Sequence, residues 1–325
     1  IYAPDADCPR WRTFITEIMQ GDKARADYLQ KAIGYSLTGD TRMECLFILY
    51  GPTSRNGKGT TMESILRIMG EYGKNADPTM LQAKFNSQSG GPSEEIARLA
   101  GSRFVNISEP EKKITLDAAL TKRLTGNDTI TARYLHENSF EFRPNFKIFI
   151  NTNHRPNITD LTLFESGRIK IIPFDRHFEE NEQDKDLKST FAKPENMSGI
   201  LNWMLEGYKL FRSQGLAMPD SVVQATTDYQ IFSDKMGQFF DECIEEKEGC
   251  ELRRGAVYTR YKEWCGENGY RAEAAKNLNQ EIEKRYKTAR KRPNDGASSS
   301  TTPMVLDVAF TASEESKEDF APLTS

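Results

Sequence analysis

Leu46-Phe-Ile-Leu-Tyr50-Gly51-Pro-Thr-Ser-Arg-Asn-Gly57-Lys58-Gly-Thr-Thr61 decides the reading of this chain: an apolar strand empties into a glycine-bounded loop that ends in Gly57-Lys58-Gly59-Thr60. That order suits a phosphate cradle. Backbone N–H groups of such a loop and of the following helix N-terminus converge on one point, the helix dipole adds partial positive charge, and the lysine adds a full one. The predicted ligand is a nucleoside triphosphate, held by Gly51, Pro52, Thr53, Ser54, Arg55, Asn56, Gly57, Lys58, Gly59, Thr60 and Thr61.

Two details depart from the usual pattern. Gly51 and Gly57 enclose five residues where four are usual, and Gly59 stands where a Mg2+-binding Ser or Thr normally follows the lysine. The metal role then falls to Thr60 or Thr61, or to a water. An ordinary strand-to-helix turn would use the same residue types, so the surroundings have to decide.

A chain of 325 residues exceeds one usual core, which predicts one large domain with a smaller one. With 37% hydrophobic and 28% charged residues and no apolar run near eighteen, it reads as soluble and globular without a membrane span. Ile1 is not an initiator methionine and residues 1–9 lack a basic-then-apolar leader, so the expectation is a chain cut from a longer one. Cys8, Cys45, Cys243, Cys250 and Cys265 are scattered without metal or disulfide spacing and read as packing residues of a cytoplasmic protein. The net charge of −4 gives no whole-chain argument for nucleic acid, so any basic surface must be local.

Around the loop, apolar spacing of three and four on either side of Gly21-Asp22 predicts a helical hairpin over residues 10–38. Apolar, β-rich runs at Leu46–Tyr50, Arg103–Ile107, Lys147–Ile150 and Ile169–Pro173 are separated by crossovers, which predicts an α/β fold with a mainly parallel sheet. The Ser/Gly-rich stretch Asn86–Pro92 reads as a mobile loop. The expected layout is an amino-terminal helical region (1–42), a P-loop ATPase core (43–180), a helical connector (181–219), a winged-helix-like domain (220–310) and an acidic, disordered tail (311–325).

The second strand run ends in Ser108-Glu109-Pro-Glu111, which places carboxylates at the edge where a triphosphate would lie. Glu109 is the candidate to polarise an attacking water and to share the metal with Thr60, with Glu111 second for either role. Ser108 fills the place of a metal-holding Asp. The third run ends in Asn151-Thr-Asn153; Asn153 is preferred over Asn151 for orienting the water, although a turn asparagine before His154-Arg-Pro156 would look the same. Arg168, before the fourth run, would suit a neighbouring subunit's triphosphate, a device worth about 10³ to 10⁵ in rate; Arg176 is the alternative.

The phosphate loop, the acidic strand end, Leu124-Thr-Gly-Asn-Asp-Thr-Ile-Thr-Ala-Arg133, the Thr152-Asn153 strand end and Arg168-Ile-Lys-Ile-Ile-Pro-Phe174 follow one another in the order of the superfamily 3 helicases. More narrowly, the chain resembles the helicase part of phage, plasmid and poxvirus primase-helicases, over most of residues 8–265. The resemblance implies a helicase-type ATPase in a hexameric ring around single-stranded or forked DNA, with a nucleotide at each subunit boundary and 3′ to 5′ movement. It also implies a primase domain or a polymerase as a further partner. The family's channel hairpin maps onto Tyr134–Phe142, making His136 a DNA contact, with Lys122 and Arg133 beside it. Gly59 departs from that family too.

Residues 251–293 carry twelve Lys or Arg against six Asp or Glu. Two amphipathic helical patterns, the turn Gly266–Gly269 and a following β-like stretch suit a winged helix whose recognition helix spans 277–286, with Lys284, Arg285 and Lys287 as DNA contacts. The leading expectation is an ATP-dependent replicative DNA helicase. An ATP-switched initiator or loader that does not unwind, and a nucleotide kinase, which the Gly-Lys-Gly-Thr ending also suits, are the rivals.

Overall fold

Strand runs that are apolar at every position have to be covered on both faces, and the computed structural model covers them. It describes residues 2–83, 94–108, 114–270, 272–291 and 301–311. The chain divides into two compact units, residues 1–233 and 234–325.

The first unit opens with the helical hairpin α1 (Pro9–Ile18) and α2 (Lys23–Tyr35), followed by β1 (Leu46–Tyr50), α3 (Lys58–Met69) and β2 (Gly73–Ala76). A short α4 (Glu94–Ala97), β3 (Phe104–Ser108) and α5 (Ala118–Thr125) lead to the hairpin of β4 (Ile130–Ala132) and β5 (Phe140–Phe142). Then come β6 (Lys147–Thr152), α6 (Thr162–Glu165), β7 (Ile169–Pro173), α7 (Leu187–Phe191), α8 (Pro194–Gln214) and α9 (Asp220–Ser233).

The main sheet runs β2-β3-β6-β1-β7 with every pairing parallel. Alternate side chains serve opposite cores. Phe47, Phe104 and Phe149 stack in a ladder, with ring centres 4.7 and 4.8 Å apart, on the side of α1, α2, α3 and α8. Ile48, Val105, Ile150 and Ile171 face the side that includes Leu120 of α5 and Tyr229 of α9.

The amino-terminal hairpin is not a separate region. α2 crosses α8 where Gly34 and Gly207 bring the helices so close that an added Cβ would lie 2.2 and 2.1 Å from opposing backbone. Arg25, almost fully buried, ties α2 to Asp175 beyond β7 at 2.9 Å. The expected boundary at 220 also moves: α9 packs on β7 through Val222 and Tyr229, so the division falls between Ser233 and Asp234.

The second unit is α10 (Lys235–Cys243), β8 (Ile244–Arg253), α11 (Arg254–Glu267), α12 (Ala275–Arg285), β9 (Thr288–Lys291) and β10 (Thr302–Phe310). Its antiparallel sheet has the order β8-β10-β9. Phe239, Tyr261, Trp264, Leu278, Ile282 and Val305 form its core. Helices α11 and α12 occupy the two amphipathic stretches and β10 covers the β-like run ending at Phe310, whereas β8 and β9 are strands that the sequence reading did not give. The expected mobile loop at 86–92 and the tail from 312 lie outside the described residues.

Candidate nucleotide site

The parallel sheet points the ends of β1, β3 and β6 to one edge, and β6 lies between the other two. Gly51 follows β1 and its N–H donates to Thr152 O at 3.2 Å, so loop and neighbouring strand leave the sheet together. The loop turns through left-handed Arg55 (φ 57°) and Gly57 (φ 83°), and α3 starts at Lys58. Buried Asn56 pins it from inside, donating Nδ2 to Thr53 O at 2.6 Å.

Two glycines show why the loop has this composition. A Cβ on Gly51 would lie 2.3 Å from Phe174 O and 2.4 Å from Asn56 Nδ2. A Cβ on Gly57 would lie 2.4 Å from Ile18 Cγ2, because α1 rests directly against the loop. Only glycine fits where backbone must approach this closely. The resulting cradle presents the amide groups of a twelve-residue helix's first turn, the arrangement that receives phosphate.

Lys58 is 4% exposed, and its Nζ donates to Asn153 Oδ1 at 2.6 Å and to Gly51 O at 3.3 Å. The structure therefore brings Lys58 and Asn153 together. Asn151, two residues earlier on the same face, turns its Nδ2 away to Asn106 Oδ1 at 2.9 Å and to Ser108 Oγ at 3.4 Å. Asn106 in turn donates to Asn75 at 2.8 Å and to Ser108 at 3.0 Å. This row of asparagines links β2, β3 and β6 beneath the site, and sequence reading missed it because a single Asn in each strand carries no pattern. Glu109 and Glu111 lie outside the described residues.

Of the hydroxyls available to a metal, Thr61 is fully buried and donates to Gly57 O at 3.0 Å, which leaves Thr60 on the first turn and Ser108 on β3. Among the described residues no cluster of three His, Cys, Asp or Glu could hold a metal. Hydroxyls such as Thr60 and Ser108 at this edge suit a Mg2+ that arrives on the triphosphate. Position 59 faces open space, with nothing within 4 Å of an added Cβ.

Arg168 sits at the other edge of the sheet, where its carbonyl accepts from Leu46 N at 2.8 Å. The length of β1, roughly 17 Å for five residues, separates it from the loop of its own chain. Its Nη2 meets Glu44 Oε2 at 2.7 Å and its Nη1 donates to Thr125 Oγ1 at 2.9 Å. Arg176 lies on the loop's edge, paired with Glu182 at 2.5 Å.

His136 (φ 63°) and Arg133 are exposed in the connection between β4 and β5, next to Leu135, which is 67% exposed. Tyr134 anchors that connection by donating to Ala97 O at 3.0 Å and stacking on Phe140. Lys122 is paired with Asp160 at 2.9 Å. In the second unit Lys284 pairs with Glu281, Arg285 with Asp234 and Lys287 with Asp307, at 2.6, 2.9 and 3.7 Å. Exposed pairs of this kind are worth about 0 to 1 kcal/mol, so a phosphate can displace the acids at low cost.

The family described as Poxvirus D5 protein-like matches residues 232–312, and a family of unknown function matches residues 49–168, from the end of β1 to Arg168. "Putative helicase L207/L206" of Acanthamoeba polyphaga mimivirus is 28% identical over 269 residues, covering 77% of this chain and 28% of that protein. "Putative helicase 022R" of Frog virus 3 (isolate Goorha) is 26% identical over 272 residues, covering 78% of this chain and 28% of that protein. The chain thus spans less than a third of the length of these relatives. Among solved structures, the apo structure of the NrS-1 C-terminal region superposes with a TM-score of 0.56 at 12% identity, covering 95% of this chain and 77% of that one. Its A form gives 0.57 at 14%, covering 94% and 77%. These last two likenesses speak to the fold. The sequence likeness is thus to viral proteins of helicase type and to the Poxvirus D5 protein-like family over residues 232–312.

Proposed function

We propose that this chain is the ATP-driven motor of a superfamily 3 DNA helicase, which moves along one strand as a ring with a nucleotide at each subunit boundary. The observation that carries the reading is the meeting of Lys58 and Asn153 at the edge between β1 and β6. A phosphate-holding cation then lies beside an amide able to orient water at the γ-phosphate.

In this reading Lys58 and the loop amides hold the phosphates and Glu109 takes the proton from the attacking water that Asn153 positions. Arg168, too far from its own loop, acts on the neighbour's nucleotide. The β4–β5 connection with Arg133 and His136 contacts the strand in the channel, aided by Lys122. The second unit, read as a winged helix, touches DNA through Lys284, Arg285 and Lys287. The ring is a hexamer in the host cytoplasm, working with a primase domain or a polymerase.

Strand displacement on a forked duplex tests the proposal. ATP-dependent release of the displaced strand, lost in Lys58→Ala, is expected. DNA-stimulated hydrolysis without displacement at any enzyme excess would favour the initiator or loader instead.

A further inference from the structure

Resting on the nucleotide reading above, we propose that the cavity between α1 and the segment after β7 receives the nucleoside half of the nucleotide, with a purine ring stacked on Phe178. The cavity measures about 280 Å³ and is bordered by Gly57 and Thr60 of the phosphate loop and first turn of α3, by Phe14 of α1, and by Phe178 and Leu187. That is close to the lower limit of ligand pockets and leaves room for one heterocycle and its sugar.

Its position follows from the loop. Phosphates held at the first turn of α3 leave the sugar and base to run off one side, and this cavity opens on that side at Gly57 and Thr60. The wall opposite α1 is fastened to the loop itself. Phe178 N–H donates to Arg55 O at 2.9 Å, and His177 Nδ1 lies 2.9 Å from Ser54 O. Gln183 Nε2 then holds Phe178 O at 3.0 Å, and the Arg176 guanidinium lies 4.7 Å above the Phe178 ring. A ring set this firmly and backed by a cation is a stacking platform. Across the rim, Arg10 of α1 meets Glu17 at 3.1 Å and Asp184 at 3.8 Å, which ties the two walls together.

The platform serves bases through their flat faces, and a purine covers more of it than a pyrimidine. The amino-terminal hairpin thereby becomes part of the nucleotide site. Sequence reading assigned Phe178 no role, because a lone aromatic after a strand looks like core.

The test is a binding titration of the full chain with ATP, CTP and inorganic tripolyphosphate. ATP is expected to bind more tightly than CTP and tripolyphosphate. Phe178→Leu, which keeps apolar bulk but removes the π face, is expected to weaken ATP by about tenfold while tripolyphosphate is unchanged, and Phe178→Tyr to restore ATP. ATP affinity unchanged in Phe178→Leu overturns the assignment, as does an equal loss for ATP and tripolyphosphate. A wild-type chain that binds none of the three ligands overturns the nucleotide reading, and this assignment with it.

Discussion

Lys58 and Asn153, 95 residues apart in the chain, meet at 2.6 Å because β6 is inserted between the loop-bearing strand and the acid-bearing one. An incoming triphosphate competes with Asn153 for that ammonium. Asn153→Ala is therefore expected to leave ATP affinity unchanged or tighter while turnover falls by about a hundredfold, the scale of losing a positioned proton-transfer partner. Equilibrium titration beside single-turnover hydrolysis separates the two effects. A parallel loss of affinity and rate would show Asn153 to be a phosphate ligand instead.

Gly51 in the loop and Gly59 in the first turn of α3 sit eight positions apart and should respond in opposite ways to an added methyl. Gly51→Ala drives a Cβ to 2.3 Å from Phe174 O and should abolish nucleotide binding, whereas Gly59→Ala meets nothing within 4 Å. In α3 the latter gains about 1 kcal/mol of helix propensity, which raises the melting midpoint by about 2 to 4 °C. Gly59→Ser adds a hydroxyl where other phosphate loops hold the metal, so the Mg2+ concentration needed for half-maximal ATP binding should drop. Thermal melts and Mg2+ titrations read both results, and a lower midpoint for Gly59→Ala would contradict the open space at that position.

Arg168 can serve a neighbour only after yielding Glu44, its 2.7 Å partner. Mixing Arg168→Ala with Glu109→Gln subunits should recover part of the DNA-stimulated ATPase that neither variant shows alone, since a mixed boundary can carry both intact groups. No recovery at any mixing ratio would exclude action in trans.

Lys147 supplies a pH test. Its ammonium is buried beside the Thr38 and Asp40 carbonyls and over the Tyr35 ring, and burial pulls its pKa down to about 7 despite the nearby Asp40 charge. The folded value lies below the unfolded one, so the folded chain binds the proton less tightly. Stability should rise with pH from about 7 upward and level off below it. In urea melts between about pH 7 and pH 9.5 the wild type should gain roughly 1 to 3 kcal/mol relative to Lys147→Met. Burial raises the Cys8, Cys45 and Cys265 thiols in both proteins, and their opposing effect cancels in that difference. The window stops short of the range where unfolded tyrosines ionise, a range that matters because burial raises Tyr28, Tyr35 and Tyr229 in the folded state. Equal slopes in the two proteins would refute the assignment.

The four apolar runs were legible because a strand covered on both faces must be apolar throughout. β2 escaped notice: Gly73-Lys-Asn-Ala76 is a half-buried edge strand with no apolar rhythm, held by its pairing to β3. β8 was hidden for a related reason, since Glu245 to Gly249 are exposed and its place comes from pairing with β10. The expected boundary after residue 219 fell at a proline, which starts helices as readily as it ends them, and the buried face of α9 becomes visible only once β7 is beside it.

The phosphate loop could be read from local spacing because its chemistry is local. The Arg168–Glu44 pair spans 124 residues and joins two ordinary surface types, so nothing nearby announces it. The same holds for the bond between Phe178 and Arg55, which a linear reading cannot distinguish from core packing.

Ile18 and Phe14 press on Gly57, and that contact makes the loop an unsuitable graft. Transplanted into another strand-loop-helix unit, residues 51–61 would keep their amides and their lysine but lose the surface that holds position 57 in its left-handed turn. Residues 14, 18 and 57 must therefore change together, and a bulkier side chain at position 18 should be tolerated only where the loop has already shifted away.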